Sequence, residues 1–202
     1  MYEIIKRSFD VLIAIIGIIV CMPIGIIISI LIKITSTGKI IFKQERLGKN
    51  GNKIVIYKFR TMVETAESDL KKLPKSKLIE YKENYRIEDD SRLTKIGNIL
   101  RQSNLDEIPQ LWNILKGDLS LIGPRPILLE ESKKYENQKE KLLSVKPGLT
   151  GYWQINREKC KNYNQRIKME LFYVDNKSLK FDCEIFFKTI IYCGKKIVKL
   201  IE

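Results

Sequence analysis

The chain has 202 residues, enough for one ordinary domain plus an anchor. Its 37 Lys and Arg outnumber 24 Asp and Glu, and the net charge of +13 indicates an anionic partner: nucleic acid, an anionic membrane or a phosphorylated substrate. Because the chain has no His, it lacks the usual neutral-pH base, so acid–base or metal chemistry falls to carboxylates. Four Cys without CxxC spacing argue against zinc or a disulfide framework and favour a reducing, cytoplasm-facing body.

The first predicted element is an uncharged apolar stretch over residues 11–32. At about 1.5 Å per residue, a helix of this length just crosses a bilayer core of roughly 30 Å. Pro23 lies in its middle, where it removes a backbone donor and clashes with the preceding turn. Positive residues mark the cytoplasmic side, and here they flank both ends. These residues are Lys6, Arg7, Lys33, Lys39, Lys43 and Arg46.

Both flanks are therefore predicted on one side, with a helix broken at Pro23 that enters and leaves through one leaflet. A kinked single span is the alternative. Asp10, near the first turn, is either an anchor of the entry or an ordinary polar surface residue.

A β-hairpin is predicted over residues 39–62, where two β-branched and aromatic runs flank Asn50 and Gly51. Lys58 and Arg60 alternate with apolar residues and share one face of the second strand. Two interpretations stay open for this pair: contact with a phosphate, or an ordinary solvated strand face.

Residues 64–90 are highly charged and predict a peripheral polar helix with a break around Pro74, to which we assign no chemistry. Thr94 then has the pattern of an N-cap. The helix that follows is expected to end at Arg101, with its buried side formed by Ile96, Ile99 and Leu100.

Two adjacent acids, Asp106 and Glu107, come next. Proline is tolerated only in the first turn of a helix, so Pro109 predicts a helix start at or beside the acids. The free N–H groups at such a helix start favour ionised carboxylates. Gly117 suits the end of this helix. Its apolar face is predicted to contain Ile108, Leu111, Trp112 and Leu115. Taken alone, the acids are most simply an Asp cap and a first-turn Glu.

The neighbouring segments alter that interpretation. Arg125 lies between two prolines, which force an extended, stiff backbone, and a rigid arginine suits a phosphate. The turn over residues 147–151 is rich in glycine and leads into the run 152–157, which is able to stack and hydrogen-bond; core packing is expected for its Tyr152 and Trp153.

Two further helices complete the chain. One is predicted over residues 164–174. The other covers residues 185–201, where apolar residues alternate with lysines. It is either an amphipathic helix lying on the bilayer or a core-facing helix with a solvated basic side.

Together these segments resemble the bacterial sugar transferase family, the small monotopic polyprenyl-phosphate sugar-phosphate transferases (phosphoglycosyl transferases). The resemblance covers nearly the whole chain. It is carried by residues 6–10, the proline-containing anchor, and residues 58–62, 92–94 with 97, 105–111, 117–126, 147–151, 173–174 with 176 and 178, and 182. So many motifs in register are specific, although each alone is weak.

The resemblance implies a mainly helical α+β fold. A re-entrant membrane helix over residues 1–38, with Lys6, Arg7, Asp10 and Pro23 as its characteristic residues, precedes a small catalytic domain over residues 39–202. That domain is expected to contain a β-hairpin and short amphipathic interfacial helices. The implied location is the cytoplasmic face of a bacterial inner membrane.

The implied reaction is transfer of a sugar 1-phosphate from a UDP-sugar to undecaprenyl phosphate with release of UMP, which begins synthesis of a membrane glycoconjugate. Asp106 matches the covalent nucleophile, and Glu107 is assigned to metal binding or proton handling, so both acids are candidate ligands of the implied cofactor Mg²⁺. The candidate phosphate- and nucleotide-binding residues are Arg101, Arg125 and Arg157, with Lys58 and Arg60.

Two residues depart from the family pattern. Met22 precedes Pro23 where many members have Ser, and Asn104 replaces a small hydroxyl residue. The expected partners are the donor, the lipid acceptor and membrane lipids, without nucleic acid. The alternative function is a non-enzymatic, membrane-tethered basic adaptor for anionic lipid or nucleic acid, which gives the acid pair no role. Sugar choice is expected to depend on residues 64–90 and 152–165.

Overall fold

A computed structural model describes the backbone of residues 1–201 and the side chains of residues 1–196 and Val198. It confirms the mainly helical α+β class. The helices are α1 (Tyr2–Thr35), α2 (Ala66–Asp69), α3 (Lys75–Asn84), α4 (Lys95–Ser103), α5 (Gln110–Lys116), α6 (Lys139–Leu143), α7 (Tyr152–Ile155), α8 (Tyr163–Asn176) and α9 (Leu179–Ile201). The strands are β1 (Ile41–Leu47), β2 (Lys53–Phe59), β3 (Ser120–Ile122) and β4 (Gly148–Thr150).

Helix α1 is long and apolar enough to cross a membrane by length and composition, and an 18-residue window of it has a mean hydropathy of 3.1. The helix does not end at Pro23, as the predicted break required, but continues through it to Thr35. Proline removes one backbone donor, and the hydrogen bonds on either side keep the flanking turns helical. Entry and exit through one leaflet stays a prediction.

The charged residues at the start of α1 bind the rest of the protein. Asp10 is buried and accepts hydrogen bonds from Ser120 Oγ at 3.1 Å and Leu121 N at 2.8 Å. Lys6 donates to Asp182 Oδ2 of α9 at 2.7 Å. Arg7 donates to the last carbonyls of α5, Ile114 O at 2.6 Å and Leu115 O at 2.8 Å. These residues therefore attach α1 to the body. Because Lys6 and Arg7 have partners in the protein, their charge is weaker evidence for the side of the membrane on which this end lies.

The apolar body of α1 packs along the same domain. Ala14, Ile28 and Ile32 are buried against it, and an added Cβ at Gly17 would lie 3.1 Å from the Leu111 side chain. At the far end, Arg60 Nη2 donates to Ser36 O at 3.0 Å. Both ends of α1 thus contact the same body.

The predicted hairpin is confirmed. Strands β1 and β2 pair antiparallel from Ile41 opposite Phe59 to Leu47 opposite Lys53. The turn includes Gly51, whose φ of 79° lies in the left-handed region that glycine adopts easily.

A second, parallel pair joins β3 to β4, and the sequence does not predict it. Ser120 lies opposite Gly148, and Ile122 opposite Thr150. A Cβ at Gly148 would lie 2.1 Å from Gly123 N, so glycine is needed for this close backbone approach.

Most predicted helix boundaries agree with the structure. Pro74 separates α2 from α3, and Gly117 caps the C-terminal end of α5 with a φ of 88°. Thr94 caps the start of α4, where its Oγ1 accepts a hydrogen bond from Gly97 N at 2.9 Å. Helix α4 continues past Arg101 to Ser103, and the helix predicted over residues 164–174 is α8.

The prediction that Ile99 and Trp112 face the core is wrong. Ile99 is 53% exposed and Trp112 is 57% exposed. In the short helix α5, Asn113 and Ile114 are fully buried, so Trp112 lies on the side turned away from the core. Asn113 is buried because its amide bonds the backbone of β2, at Tyr57 N and Val55 O.

Helix α9 contacts the core, as one of the two alternatives predicted, and contact of its exposed side with the bilayer stays a prediction. Ile185 is fully buried in the main core, whereas Phe187, Ile190 and Ile191 are more than half exposed. The side chain of Lys199 lies outside the described residues. All four cysteines are free.

We expect Asn113→Ala to destabilise the protein, because two backbone groups of β2 lose their partner inside the core. Unsatisfied groups cost about 1–3 kcal/mol each, which for a chain of this size lowers the melting temperature by roughly 4 °C or more. Thermal melting in detergent measures this. Asn98→Ala on exposed α4 is the matched control, and an equal shift in both variants would contradict the bridging role.

Candidate active site

The acid pair lies in a turn of its own. Asp106 and Glu107 belong to a 3₁₀ turn (Leu105–Glu107) between α4 and α5. Asn104 ends α4 in the left-handed region with a φ of 61°, and Pro109 directly precedes α5, which begins at Gln110. The predicted helix start is therefore three residues too early. Pro109 nevertheless lies at the N-terminal end of the helix, as expected.

Lys58 joins the pair from strand β2. Its Nζ lies 2.5 Å from Glu107 Oε1 and 4.0 Å from Asp106 Oδ2. Arg60 belongs elsewhere: its buried guanidinium hydrogen-bonds Ser36 at the end of α1. The structure thus brings Lys58 to the acids, whereas Arg60 contacts the end of α1.

The two acids titrate very differently. Burial raises the pKa of Asp106 to about 6, against the opposing attraction of Lys58 and with help from the negative charge of Glu107. Burial acts in the same direction on Glu107, but the charges of Lys58 and Arg125 and the hydrogen bond from Lys58 outweigh it and lower the pKa of Glu107 to about 2. Lys58 is therefore the cation that lets both carboxylates ionise near neutral pH.

Arginines surround the pair. Arg101 and Arg125 both attract the Asp106 carboxylate, and burial lowers the pKa of Arg101. Arg157 lies 3.6 Å from Glu88, and its charge acts on Arg86. The structure therefore brings Arg101 and Arg125 to the acid pair and connects Arg157 to it only through Arg86.

Arg86 is a site residue that the sequence does not reveal. Burial and the positive charges of Arg157, Arg101 and Arg125 lower its pKa to about 10, and its own charge acts on Glu107. It follows α3, in the segment to which no chemistry is assigned. No local pattern distinguishes it from the other charged residues there. With Arg86 included, cations outnumber acids at the site.

The backbone of Arg125 is fixed from both sides. The flanking prolines restrict it, and its N–H donates to both carboxylate oxygens of Glu170 in α8, at 3.2 and 3.1 Å. Glu170 is only 1% exposed. The predicted stiffness of Arg125 thus has a tertiary support in addition to its prolines.

A cavity beside Glu107 lies between β2, α5, β4 and α7. Two glutamines that the sequence does not single out, Gln110 and Gln154, contribute to its wall. The lining residues are Arg46, Ile56, Lys58, Glu107, Gln110, Arg125, Pro126, Gly148, Leu149 and Gln154.

The acid pair suits a magnesium ion held jointly with a phosphate. Within the described part of the chain, no three Asp, Glu, Cys or His side chains come together. Mg²⁺ commonly binds one or two carboxylates and takes its other oxygens from water and substrate phosphates. Asp106 and Glu107 provide that number of carboxylates, and Arg101 and Arg125 beside them suit a phosphate, so the donor set fits.

Comparison with known proteins identifies the family. The family model described as bacterial sugar transferase matches residues 1–196. The chain belongs to the bacterial sugar transferase family. The resemblance of its motifs is thereby confirmed, and so is the prediction of a transferase.

Curated relatives cover nearly the whole chain. The exopolysaccharide production protein ExoY of Sinorhizobium fredii is 41% identical over 92% of this chain and 83% of its own length. The uncharacterized sugar transferase EpsL of Bacillus subtilis is 37% identical over 93% of this chain and 86% of its own length. The undecaprenyl-phosphate galactose phosphotransferase of Salmonella typhimurium is 37% identical over 92% of this chain, which spans only 39% of that protein.

We expect Asp106 to titrate with a midpoint near pH 6. Because its pKa is raised, the carboxylate is protonated below that midpoint and ionised above it. The measurement is the pH dependence of the side-chain carboxyl signals of ¹³C-labelled aspartate, with Asp106→Asn assigning the resonance. Lys58→Met should raise the midpoint, since Lys58 favours the ionised form. A midpoint at the ordinary value near 3.8 would contradict this environment.

Proposed function

We propose that this protein transfers a sugar 1-phosphate from a UDP-sugar to undecaprenyl phosphate, with Asp106 as covalent nucleophile. The observation that carries the proposal is a buried carboxylate, ionisable near neutral pH, beside Lys58 and among arginines. The name of the Salmonella typhimurium relative, an undecaprenyl-phosphate galactose phosphotransferase, supports the lipid carrier and the phosphotransfer. The adaptor alternative leaves this arrangement without a role.

In the first step, an Asp106 oxygen attacks the phosphorus that carries the sugar. The new aspartyl O–P bond forms as the P–O bond to UMP breaks, and UMP leaves with the electron pair. Arg101, Arg125 and Arg86 stabilise the charge that develops on the phosphate oxygens. Because an ionised carboxylate attacks, no histidine is required.

In the second step, an oxygen of the polyprenyl phosphate attacks the same phosphorus. The aspartyl O–P bond breaks, and the Asp106 carboxylate is regenerated. Glu107 stays ionised throughout because Lys58 holds its pKa low. When bound at Asp106 and Glu107, Mg²⁺ would supply further neutralisation of phosphate charge.

The contacts of α1 support a monotopic arrangement, in which both ends of the helix lie on the side of the catalytic body. Tyr2 and Lys6 hydrogen-bond Asp182, and Ser36 accepts a hydrogen bond from Arg60. Much of the apolar surface between those ends is exposed, which suits contact with lipid. An acceptor phosphate at headgroup depth then lies beside the site. We place the body at the cytoplasmic face of a bacterial inner membrane.

Asp106→Asn should lower UMP release by at least about a thousandfold, since an amide cannot form the aspartyl phosphate. The assay incubates the detergent-solubilised protein with Mg²⁺ and radiolabelled UDP-sugars, without lipid. Mass spectrometry should detect the phosphosugar on Asp106 of the native protein. Asp175→Asn, at an exposed carboxylate in α8, is the control and should release UMP normally. Undiminished UMP release by Asp106→Asn would refute the proposal.

The topology has its own test, in a variant whose native cysteines are replaced by alanine. Single cysteines are introduced by Glu3→Cys and Lys39→Cys at the two ends of α1, and by Asp175→Cys in the body. In inside-out vesicles all three should react with a membrane-impermeant maleimide, and in intact spheroplasts none should. Labelling of residues 3 and 39 from opposite sides would establish a single span.

A further inference from the structure

Two glutamine side chains line the cavity beside the acid pair. Gln110, the first residue of α5, is 3% exposed, and its Nε2 has no hydrogen-bond partner among the described residues. Gln154, in α7, has a buried Oε1 that likewise lacks a partner in the described part of the chain. Its Nε2 donates to Leu149 O at 3.4 Å.

Unpaired amides of this kind are unusual in a folded protein. Most buried polar atoms have partners, because leaving one unpaired forfeits its hydration without compensation. Stability therefore gives no reason to turn both amide groups into one cavity. A ligand that pairs with them does.

The two atoms are complementary to a single kind of group. Gln110 Nε2 is a donor and Gln154 Oε1 is an acceptor. A hydroxyl accepts one hydrogen bond and donates another, so a single hydroxyl has the partner that each of the two atoms lacks. The cavity volume is about 10 Å³, on the order of the space that one water-sized group needs.

The position of the cavity indicates which hydroxyl this is. Its wall includes Glu107, Lys58 and Arg125, the residues placed around the reacting phosphate. The apolar side chains of Ile56 and Leu149 complete it. That phosphate joins the sugar on one side and the phosphate of UMP on the other. Because the UMP phosphate carries no hydroxyl that remains unionised, the nearest hydroxyl groups are those of the sugar.

We propose that Gln110 and Gln154 form a subsite for one hydroxyl group of the donor's sugar, an inference that rests on the proposed function. Gln110 donates to the hydroxyl oxygen, and the hydroxyl donates its proton to Gln154. The pair thereby selects sugars that present a hydroxyl at that ring position. An ordered water has the same chemistry and is the competing occupant.

The test compares donors that lack one hydroxyl each. UMP release is measured as kcat/KM for the preferred UDP-sugar and for its monodeoxy analogues, with the native protein, Gln154→Leu and Gln110→Leu. For the native protein, one analogue should lose about tenfold or more in kcat/KM, because it leaves both amides unpaired. In Gln154→Leu that particular loss should shrink to about threefold or less.

Gln102→Leu is the matched control, since Gln102 lies on the exposed side of α4. It should keep the donor preference of the native protein. Melting temperatures identify a variant that fails to fold. If Gln110→Leu fails to fold, the comparison of native protein with Gln154→Leu is sufficient for the test. A purely structural role would lower kcat/KM for all donors by the same factor, whereas the proposed subsite changes the ratio between donors.

Two results overturn the proposal. Equal losses for every analogue in native and Gln154→Leu protein would identify the occupant as a structural water. Loss at a ring position that is unaffected by Gln154→Leu would place recognition elsewhere. If no UDP-sugar is turned over, the proposed reaction fails on its own, and calorimetric affinities of the same donors for Asp106→Asn still decide whether Gln154 recognises a hydroxyl.

Discussion

The contact between Lys58 and Glu107 is the interaction on which the site depends. Two carboxylates on adjacent residues repel each other, and burial further disfavours their charges. Lys58 neutralises Glu107 directly and lies within 4.0 Å of Asp106, so one acid stays fully ionised and the other retains a pKa of about 6. A single ammonium thus allows both acids of an unfavourable pair to ionise, with Glu107 as a fixed anion and Asp106 as a carboxylate available for the proposed attack.

The fold is arranged to keep that contact in register. Lys58 comes from β2 and the acids from the turn before α5, so the strand and the helix must not slide past each other. Asn113 prevents such sliding, because its buried amide bonds Val55 O and Tyr57 N, the latter one residue from Lys58. Arg7 then caps the end of α5 from α1. The apolar helix is therefore part of the same packed unit as the site, and it shares a core with it.

The sequence predicts features that depend on local chemistry. The Asn50–Gly51 hairpin turn, the Thr94 cap and the Gly117 cap each follow from one or two residues. It fails where distant segments decide: Trp112 has the spacing of a core residue, but the buried Asn113 sets which side of α5 faces inward. The sequence likewise does not identify Arg86 and the two cavity glutamines as site residues, because their surroundings come from segments far away in sequence. From helix physics alone, the acid pair is most simply a helix cap. Its proposed role in catalysis comes from the resemblance of the motifs to the family.

The excess of cations and the unpaired amides have one physical consequence. Arginines close together repel, a buried Asp106 with a raised pKa reduces stability as the pH rises through that pKa, and unpaired amides forfeit hydration. In the proposed reaction, the costs at the arginines and at the amides fall when a phosphate-bearing sugar binds, since its oxygens pair with the arginines and its hydroxyl with the amides. Energy stored in the free protein is thus released on binding the donor, which holds the reacting phosphorus against Asp106. The residues that make the site unfavourable by itself are therefore those that make it selective for its ligand.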